Sequence, residues 1–316
     1  MIEVKDLKKH FIAKNSVFGD EKELIHAVNG IDFKIDQGKT LGLVGESGSG
    51  KSTTGRLVLR LLEPTSGSIY FDGKDISTIS NKDFRKLRKE LQMVFQNPYS
   101  ALDYKMTIED ILVQPLQIHK IVQPLDYKTE VYRLLDLVGL DKASAKKFPH
   151  EFSGGQRQRI GIARALSTKP RFIVCDEPVS ALDVSVQSQI INLTMDLQKE
   201  FGLSYLFIAH DLHVIKHVSD EVAVMYLGKI VENGAAELIF NHPMHPYTKA
   251  LLAAVPGQKG TIAEERKRLK GEIPSSIKMP EGCAFHTRCP YAMDVCKEVI
   301  PILKKHENRE VACHLF

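Results

Sequence analysis

Four stretches of this chain combine residue types and spacings that can do chemistry. Gly45-Glu46-Ser47-Gly48-Ser49-Gly50-Lys51-Ser52 has the form G-x-x-x-x-G-K-S. Glycines let a backbone curl so that successive amides face an anion. In such a loop the lysine reaches the β- and γ-phosphates of a nucleotide and the last hydroxyl ligates Mg²⁺. Cys175-Asp176-Glu177 follows the apolar run Phe172-Ile173-Val174, which delivers two carboxylates to a strand end. Asp176 suits a Mg²⁺ shell, through water, and Glu177 suits a general base for an attacking water. Ser153-Gly154-Gly155-Gln156 opens a helical run to Leu166. A serine N-cap, two glycines and a helix start together make an anion site. Last, Cys283, Cys289, Cys296 and Cys313 follow the spacing C-x5-C-x6-C-x16-C. Four thiolates near the end of a chain suit a metal or a cluster.

Each stretch also has a plainer reading on local grounds. The first is a glycine-rich turn, the second a pair of surface acids before Pro178, and the third an ordinary N-cap. Context separates them for the first two. The glycine loop sits between an apolar strand, Thr40-Leu41-Gly42-Leu43-Val44, and a helix predicted from Ser52 to Leu62, ended by Pro64 and Gly67. The acids lie about 125 residues downstream, at the carboxyl end of a strand, where open α/β sheets bind ligands. For the cysteines, zinc ribbons favour C-x2-C pairs and none is present. Cys289-Pro290 is the dipeptide of bacterial ferredoxins, though the remaining spacings do not match. Zinc, an iron–sulfur cluster and plain buried thiols all stay open on these residues, and His286 and His314 lie nearby as substitute ligands or bystanders.

The surrounding elements read as α/β. Strands are predicted at Ile2 to Phe11 and Ala27 to Ile35, separated by a polar insert, Lys14 to Glu23. Asn97 to Phe152 is mostly helical in pattern, with Asp126 to Val138 as its clearest helix. Strand and helix then alternate: Phe172 to Cys175, Val184 to Phe201, Leu203 to Ile208, Leu212 to His217, and Glu221 to Tyr226. That alternation predicts a mainly parallel sheet covered on both faces. After about Ala254 glycines, prolines and a charged run, Glu264 to Lys270, replace the pattern. The run reads as a solvated helix face.

The chain has 316 residues, 43% hydrophobic and 26% charged, which suits one large domain with an appendage. Its net charge of +4 is spread over 43 basic and 39 acidic side chains, with no basic stripe of the kind that binds nucleic acid. No apolar run is long enough to span a bilayer, and Met1-Ile2-Glu3-Val4-Lys5 lacks a signal-peptide core. A cytoplasmic location is therefore expected, with any membrane attachment supplied by other subunits.

In order and spacing, the loop, Ser153-Gly154-Gly155-Gln156 and Asp176-Glu177 resemble the ABC ATPases over about residues 1 to 235. Gln96 after Leu91 to Phe95 looks like that family's Q-loop, Ser180-Ala181-Leu182-Asp183 its D-loop, and His210 its switch histidine. Phe11 stands where an aromatic stacks on adenine. Alone, a histidine at a strand end such as His210 is usually structural, and Phe11 also reads as a core residue. The resemblance implies a P-loop NTPase fold of the ABC type with an inserted helical subdomain at about 97–152. It implies ATP bound by Phe11, Gly45, Ser47, Gly48, Ser49, Gly50, Lys51, Ser52, Thr53 and Gln96, and Mg²⁺ held by Ser52, Gln96 and Asp176. It also implies catalysis by Glu177 and His210, and contact of Ser153, Gly154, Gly155 and Gln156 with nucleotide on a partner chain, with Asp183 at that interface.

Three segments narrow the resemblance to the oligopeptide and dipeptide importer ATPases. They are Phe148 to Arg159, Val222 to Glu232, and His242-Pro243-Met244-His245-Pro246-Tyr247-Thr248 before an apolar helix to Val255. Some positions depart from the pattern: Phe148 replaces a usual Tyr, Asn97 a common Asp, and Ala101-Leu102-Asp103-Tyr104 the usual Ser-Leu-Asn-Pro. This resemblance implies a cassette over 1–240 and a small cysteine-rich extension over 241–316 that carries a [4Fe-4S] cluster, with zinc as the alternative. It further implies a second ATPase subunit, the same or related, and two membrane permease subunits that the Asn97 to Met106 segment should face. An external peptide-binding protein acts indirectly, nucleic acid has no part, and the chain sits peripherally on the cytoplasmic face of the cell membrane. Two other functions compete: an accessory ATPase of a carbon–phosphorus lyase-type complex, which typically lacks the cysteine-rich end, and a soluble ABC ATPase acting on nucleic acid.

Overall fold

The computed structural model describes residues 1–13, 23–254 and 272–316. The polar insert up to residue 22, the helix end at Val255 and the charged run Glu264 to Lys270 lie outside the described residues. In chain order the strands are β1 (Ile2–Ile12), β2 (Leu24–Ile35), β3 (Thr40–Val44), β4 (Ser66–Phe71), β5 (Lys74–Asp75), β6 (Leu91–Val94), β7 (Phe172–Asp176), β8 (Ser204–Ile208), β9 (Glu221–Tyr226), β10 (Lys229–Ala235), β11 (Lys304–His306) and β12 (Arg309–Val311). The helices are α1 (Lys51–Val58), α2 (Asn81–Leu87), α3 (Pro98–Ala101), α4 (Ile108–His119), α5 (Tyr127–Leu137), α6 (Gly154–Leu166), α7 (Val184–Phe201), α8 (Leu212–Val218), α9 (Ala236–Asn241), α10 (Pro246–Ala253) and α11 (Val295–Glu298).

The chain divides into two compact units, one of Met1–Ile35, Thr40–Ser77 and His210–Phe316, the other of Asp36–Lys39 and Thr78–Ala209. In the first unit, β2-β1-β4-β5 form an antiparallel sheet. Its inner face buries Ile2, Val4, Val28, Ile31, Phe33 and Ile35. β3 pairs in parallel with β9, and β9 turns back into β10 through Leu227-Gly228. Both turn residues have positive φ, 42° and 77°, as a two-residue hairpin turn requires. β12 and β11 continue antiparallel beyond β10, so the chain's last strands add to this sheet. In the second unit, β6, β7 and β8 are all parallel, as their apolar runs predict.

The mainly parallel sheet of the sequence reading is thus corrected in part. Parallel pairing holds among β6, β7 and β8 and between β3 and β9, while β1, β2, β4 and β5, and β9 through β10 and β12 to β11, pair antiparallel. Helix α1 also stops at Val58, before the expected Leu62. Leu59 takes the C-cap, Arg60 turns left-handed at φ 47°, and Leu61 is left half-exposed outside the apolar stripe. α7 and β9 run as expected, and the helix at Asp126 to Val138 is α5.

Candidate functional site

β3 is buried along its whole length and runs into the glycine loop. Gly45 and Gly50 are required there by two crowded backbone approaches. With φ of 152° and 104°, a side-chain carbon on either would lie 2.1 Å from a main-chain oxygen, that of Met225 or of Ala27. Gly48 is also left-handed, but open space surrounds it. Lys51 is 5% exposed, and its ammonium donates to the carbonyls of Gly45 (2.8 Å) and Glu46 (2.9 Å). No side chain caps α1, whose N-cap is Gly50, and a helix start of this kind favours an anion. Ser47 is exposed, Ser49 buried, and Ser52 and Thr53 half-buried on the first turn. Phe11, near the end of β1, is half-buried with the Lys9 ammonium 5.2 Å from its ring centre. His210 is exposed, next to Asp211, which caps α8.

The same unit also joins segments far apart in the sequence. Glu46 donates its N–H to the Tyr247 hydroxyl (2.9 Å), and its carboxylate receives two Arg288 nitrogens at 2.9 and 3.2 Å. The His-Pro-Met-His-Pro-Tyr tract, legible only as a proline-broken turn, is organised by a buried carboxylate. Glu232 is 0% exposed and accepts the N–H groups of Met244 (2.9 Å) and His245 (3.0 Å), while Arg309 lies 3.6 Å away. His245 then caps α10 by accepting the Tyr247 N–H at Nδ1. Burial pushes its pKa down to about 3, which keeps the ring neutral and able to accept.

In the second unit, β7 carries Asp176 into the interior at 2% exposure, with Glu177 just beyond the strand end. Glu177 sits left-handed at φ 46°, a conformation costly for a side-chain-bearing residue and concentrated at functional sites. Its carboxylate accepts the Gln96 amide N–H at 2.7 Å, so two expected site residues meet directly. Helix α6 fixes the segment around Gln96. Gln158 donates to the Phe95 carbonyl (3.5 Å), Arg164 to the Ala101 carbonyl, and Arg157 stacks on Tyr99 at 4.0 Å while donating to the Pro149 carbonyl (2.7 Å).

Ser153 and Gln156 form a reciprocal capping box at the start of α6. Ser153 Oγ accepts the Gln156 N–H at 3.3 Å, and Gln156 Oε1 accepts the Ser153 N–H at 3.0 Å. Gly155 is needed for packing, since a side-chain carbon there would come within 2.4 Å of Val186 on α7. Gly154 lies under Leu182. Asp183 is exposed at the N-cap of α7 and does not cap it with its side chain. Ser153→Ala should cost about 1 kcal/mol of stability through the lost cap, read as a lower urea midpoint at unchanged slope. An unchanged midpoint would contradict the cap.

The expected metal ligation at Cys283, Cys289, Cys296 and Cys313 is not supported. Among the described residues no group of three or more His, Cys, Asp or Glu is arranged to hold one ion. The four sulfurs are near enough for Cys283 to feel the other three electrostatically. Burial pushes the Cys283 thiol up to about 11 and raises Cys313 too, so without a metal both are protonated thiols. Neither the [4Fe-4S] cluster nor zinc therefore enters the function below.

Solved structures define the class first. The chain is similar to the dimeric ATP-binding cassette MJ0796 in a post-hydrolysis state bound to ADP and Pi, with a TM-score of 0.66 at 26% identity over 75% of this chain and 99% of that one. It is also similar to cbiO1 of Clostridium perfringens, with a TM-score of 0.64 at 30% identity, over 76% of this chain and 90% of that one. The fold is that of a P-loop ATPase of the ABC type. The ABC transporter family model matches residues 28–180, and that of the oligopeptide/dipeptide transporter C-terminal region matches 231–296. The oligopeptide transport ATP-binding protein AppF of Bacillus subtilis is 49% identical over 100% of this chain and 97% of its own length. The dipeptide transport ATP-binding protein DppF of Escherichia coli is 45% identical over 99% of this chain and 93% of its own. The chain belongs to the family of ATP-binding subunits of oligopeptide and dipeptide ABC transporters. Among the described residues no helix is long and apolar enough to cross a membrane.

Proposed function

We propose that this chain is the ATP-hydrolysing motor subunit of a peptide importer, attached peripherally to the cytoplasmic face of the membrane through two permease subunits. The observation that carries the reading is the glycine loop, where Lys51 is folded over its own loop carbonyls at 2.8 and 2.9 Å and opens on an uncapped helix start. The loop from Gly45 through Ser47, Gly48, Ser49, Gly50, Lys51, Ser52 and Thr53 takes the phosphates of ATP, and Phe11 stacks on the adenine. Mg²⁺ suits the oxygen donors of Ser52, Gln96 and, through water, Asp176, because it is a hard cation. When bound it neutralises phosphate charge. Glu177 accepts the proton of the attacking water, and His210 orients that water or the γ-phosphate.

The reaction is shared between two ATPase chains in head-to-tail pairing. Ser153, Gly154, Gly155 and Gln156 present a helix start to nucleotide held by the second ATPase, and Asp183 lies at the junction. The relatives named as oligopeptide and dipeptide transport proteins support peptides as cargo, delivered by an external binding protein. Their names support neither the lyase-complex nor the nucleic-acid alternative. The decisive experiment is uptake of labelled di- and oligopeptides into proteoliposomes holding the complete importer. Uptake should require ATP and stop with a non-hydrolysable analogue. Uptake that ignores ATP, or brisk ATP hydrolysis with no peptide carried, would overturn the reading.

A further inference from the structure

An acidic residue inside an anion-binding loop is a local conflict. The second position of G-x-x-x-x-G-K-S needs no charge, and a carboxylate there repels the phosphates the loop receives. Such conflicts call for a compensating partner. Here it comes from 242 residues away: Arg288 grips the Glu46 carboxylate with two nitrogens, at 2.9 and 3.2 Å. The Arg288 side chain is 9% exposed and that of Glu46 27%, so the pair is largely screened from water.

A second hold acts on the same residue. The Tyr247 hydroxyl accepts the Glu46 N–H at 2.9 Å, and the Tyr247 ring is clamped between Tyr226 (4.6 Å) and Phe285 (5.4 Å). Glu46 in turn lends its carbonyl to Lys51 at 2.9 Å, so any shift of Glu46 moves an acceptor of the phosphate-binding lysine. Arg288 is set in consecutive tight turns, with His286 donating to the Cys283 carbonyl, Arg288 to that of Phe285, and Cys289 to that of His286.

We propose that Arg288 and Tyr247 are positioning residues of the nucleotide site: the C-terminal region holds the phosphate loop in shape through Glu46 and cancels the loop's own negative charge. The inference rests on the ATP-binding reading above and deepens it. The extension is then part of what sets nucleotide affinity.

The test is the affinity of the full chain for a fluorescent ATP analogue with Mg²⁺, measured at low and high salt. Arg288→Ala should weaken binding about tenfold at low salt, because a charge is left unpaired beside the phosphates, and less at high salt. Glu46→Gln combined with Arg288→Ala should return affinity to within about twofold of Glu46→Gln alone, since the charge is gone. Tyr247→Phe, which removes only the hydroxyl, should weaken binding about threefold. Thermal unfolding of each variant reports folding separately, and the charge rescue is a readout that loss of structure alone would not produce. Wild-type affinity in Arg288→Ala, or a double variant as weak as Arg288→Ala, would overturn the proposal. Lys51→Ala is the control for the underlying reading: if it binds as wild type does, the ATP site is misplaced and the proposal falls with it.

Discussion

Glu177→Gln should leave ATP binding intact and lower hydrolysis about 100- to 1,000-fold, within the range a positioned general base contributes. The structure makes this substitution a clean one. Glu177 accepts the Gln96 amide N–H at 2.7 Å, and an amide oxygen in the same place can still accept it, though more weakly than a carboxylate. The side-chain length is unchanged, and so is the demand on the backbone at φ 46°. What is removed is the capacity to take a proton from water. Fluorescent-nucleotide titration and a phosphate-release assay on the assembled complex give the two quantities separately. Full turnover would remove Glu177 from the catalytic role, and lost binding would assign it to holding the nucleotide instead. Gln96→Ala adds a second arm: it takes away the donor that orients the carboxylate, so hydrolysis should fall by a smaller factor.

The residues of the phosphate loop, the acidic strand end and the α6 start were legible because each is a short run whose chemistry depends on local spacing. α7 and β9 were legible for a similar reason, as long or fully apolar runs with a clear period. The Glu46–Arg288 pair had no such signal, since its partners lie 242 residues apart and nothing in either segment names the other. Glu232 was hidden in a tract read for its resemblance, yet a buried carboxylate beside two histidines and prolines is what turns that tract into a cap for α10. The β4–β5 hairpin carried a readable signal, Asp72-Gly73, whose φ values of 49° and 75° suit a two-residue turn. The cysteines show the opposite case. Their count and clustering suggest ligation, but spacing says nothing of how the fold arranges them, and among the described residues no three are placed to hold one ion.

Gly50→Ala should abolish measurable ATP binding, a loss of at least about 100-fold or roughly 2.7 kcal/mol, while Gly48→Ala should weaken it far less. Both residues are left-handed, at φ 104° and 79°, so backbone conformation alone does not separate them. Surroundings do. At Gly50 the new carbon would meet the Ala27 main-chain oxygen at 2.1 Å and the Met225 methyl at 2.8 Å. The methyl can swing aside, but the oxygen is main chain of strand β2, held between the flanking pairs Lys9–Val28 and His10–His26 with β1, and cannot yield without cost. The loop must move instead, and with it Lys51 and the first amides of α1. At Gly48 nothing lies within 4 Å, so the substitution bears only the left-handed cost of about 1–2 kcal/mol, part of which the unfolded chain offsets. The two variants should therefore differ by more than tenfold in affinity at similar unfolding midpoints. Equal affinities would mean that the loop's curl is set by glycine flexibility alone and not by its close approach to β2.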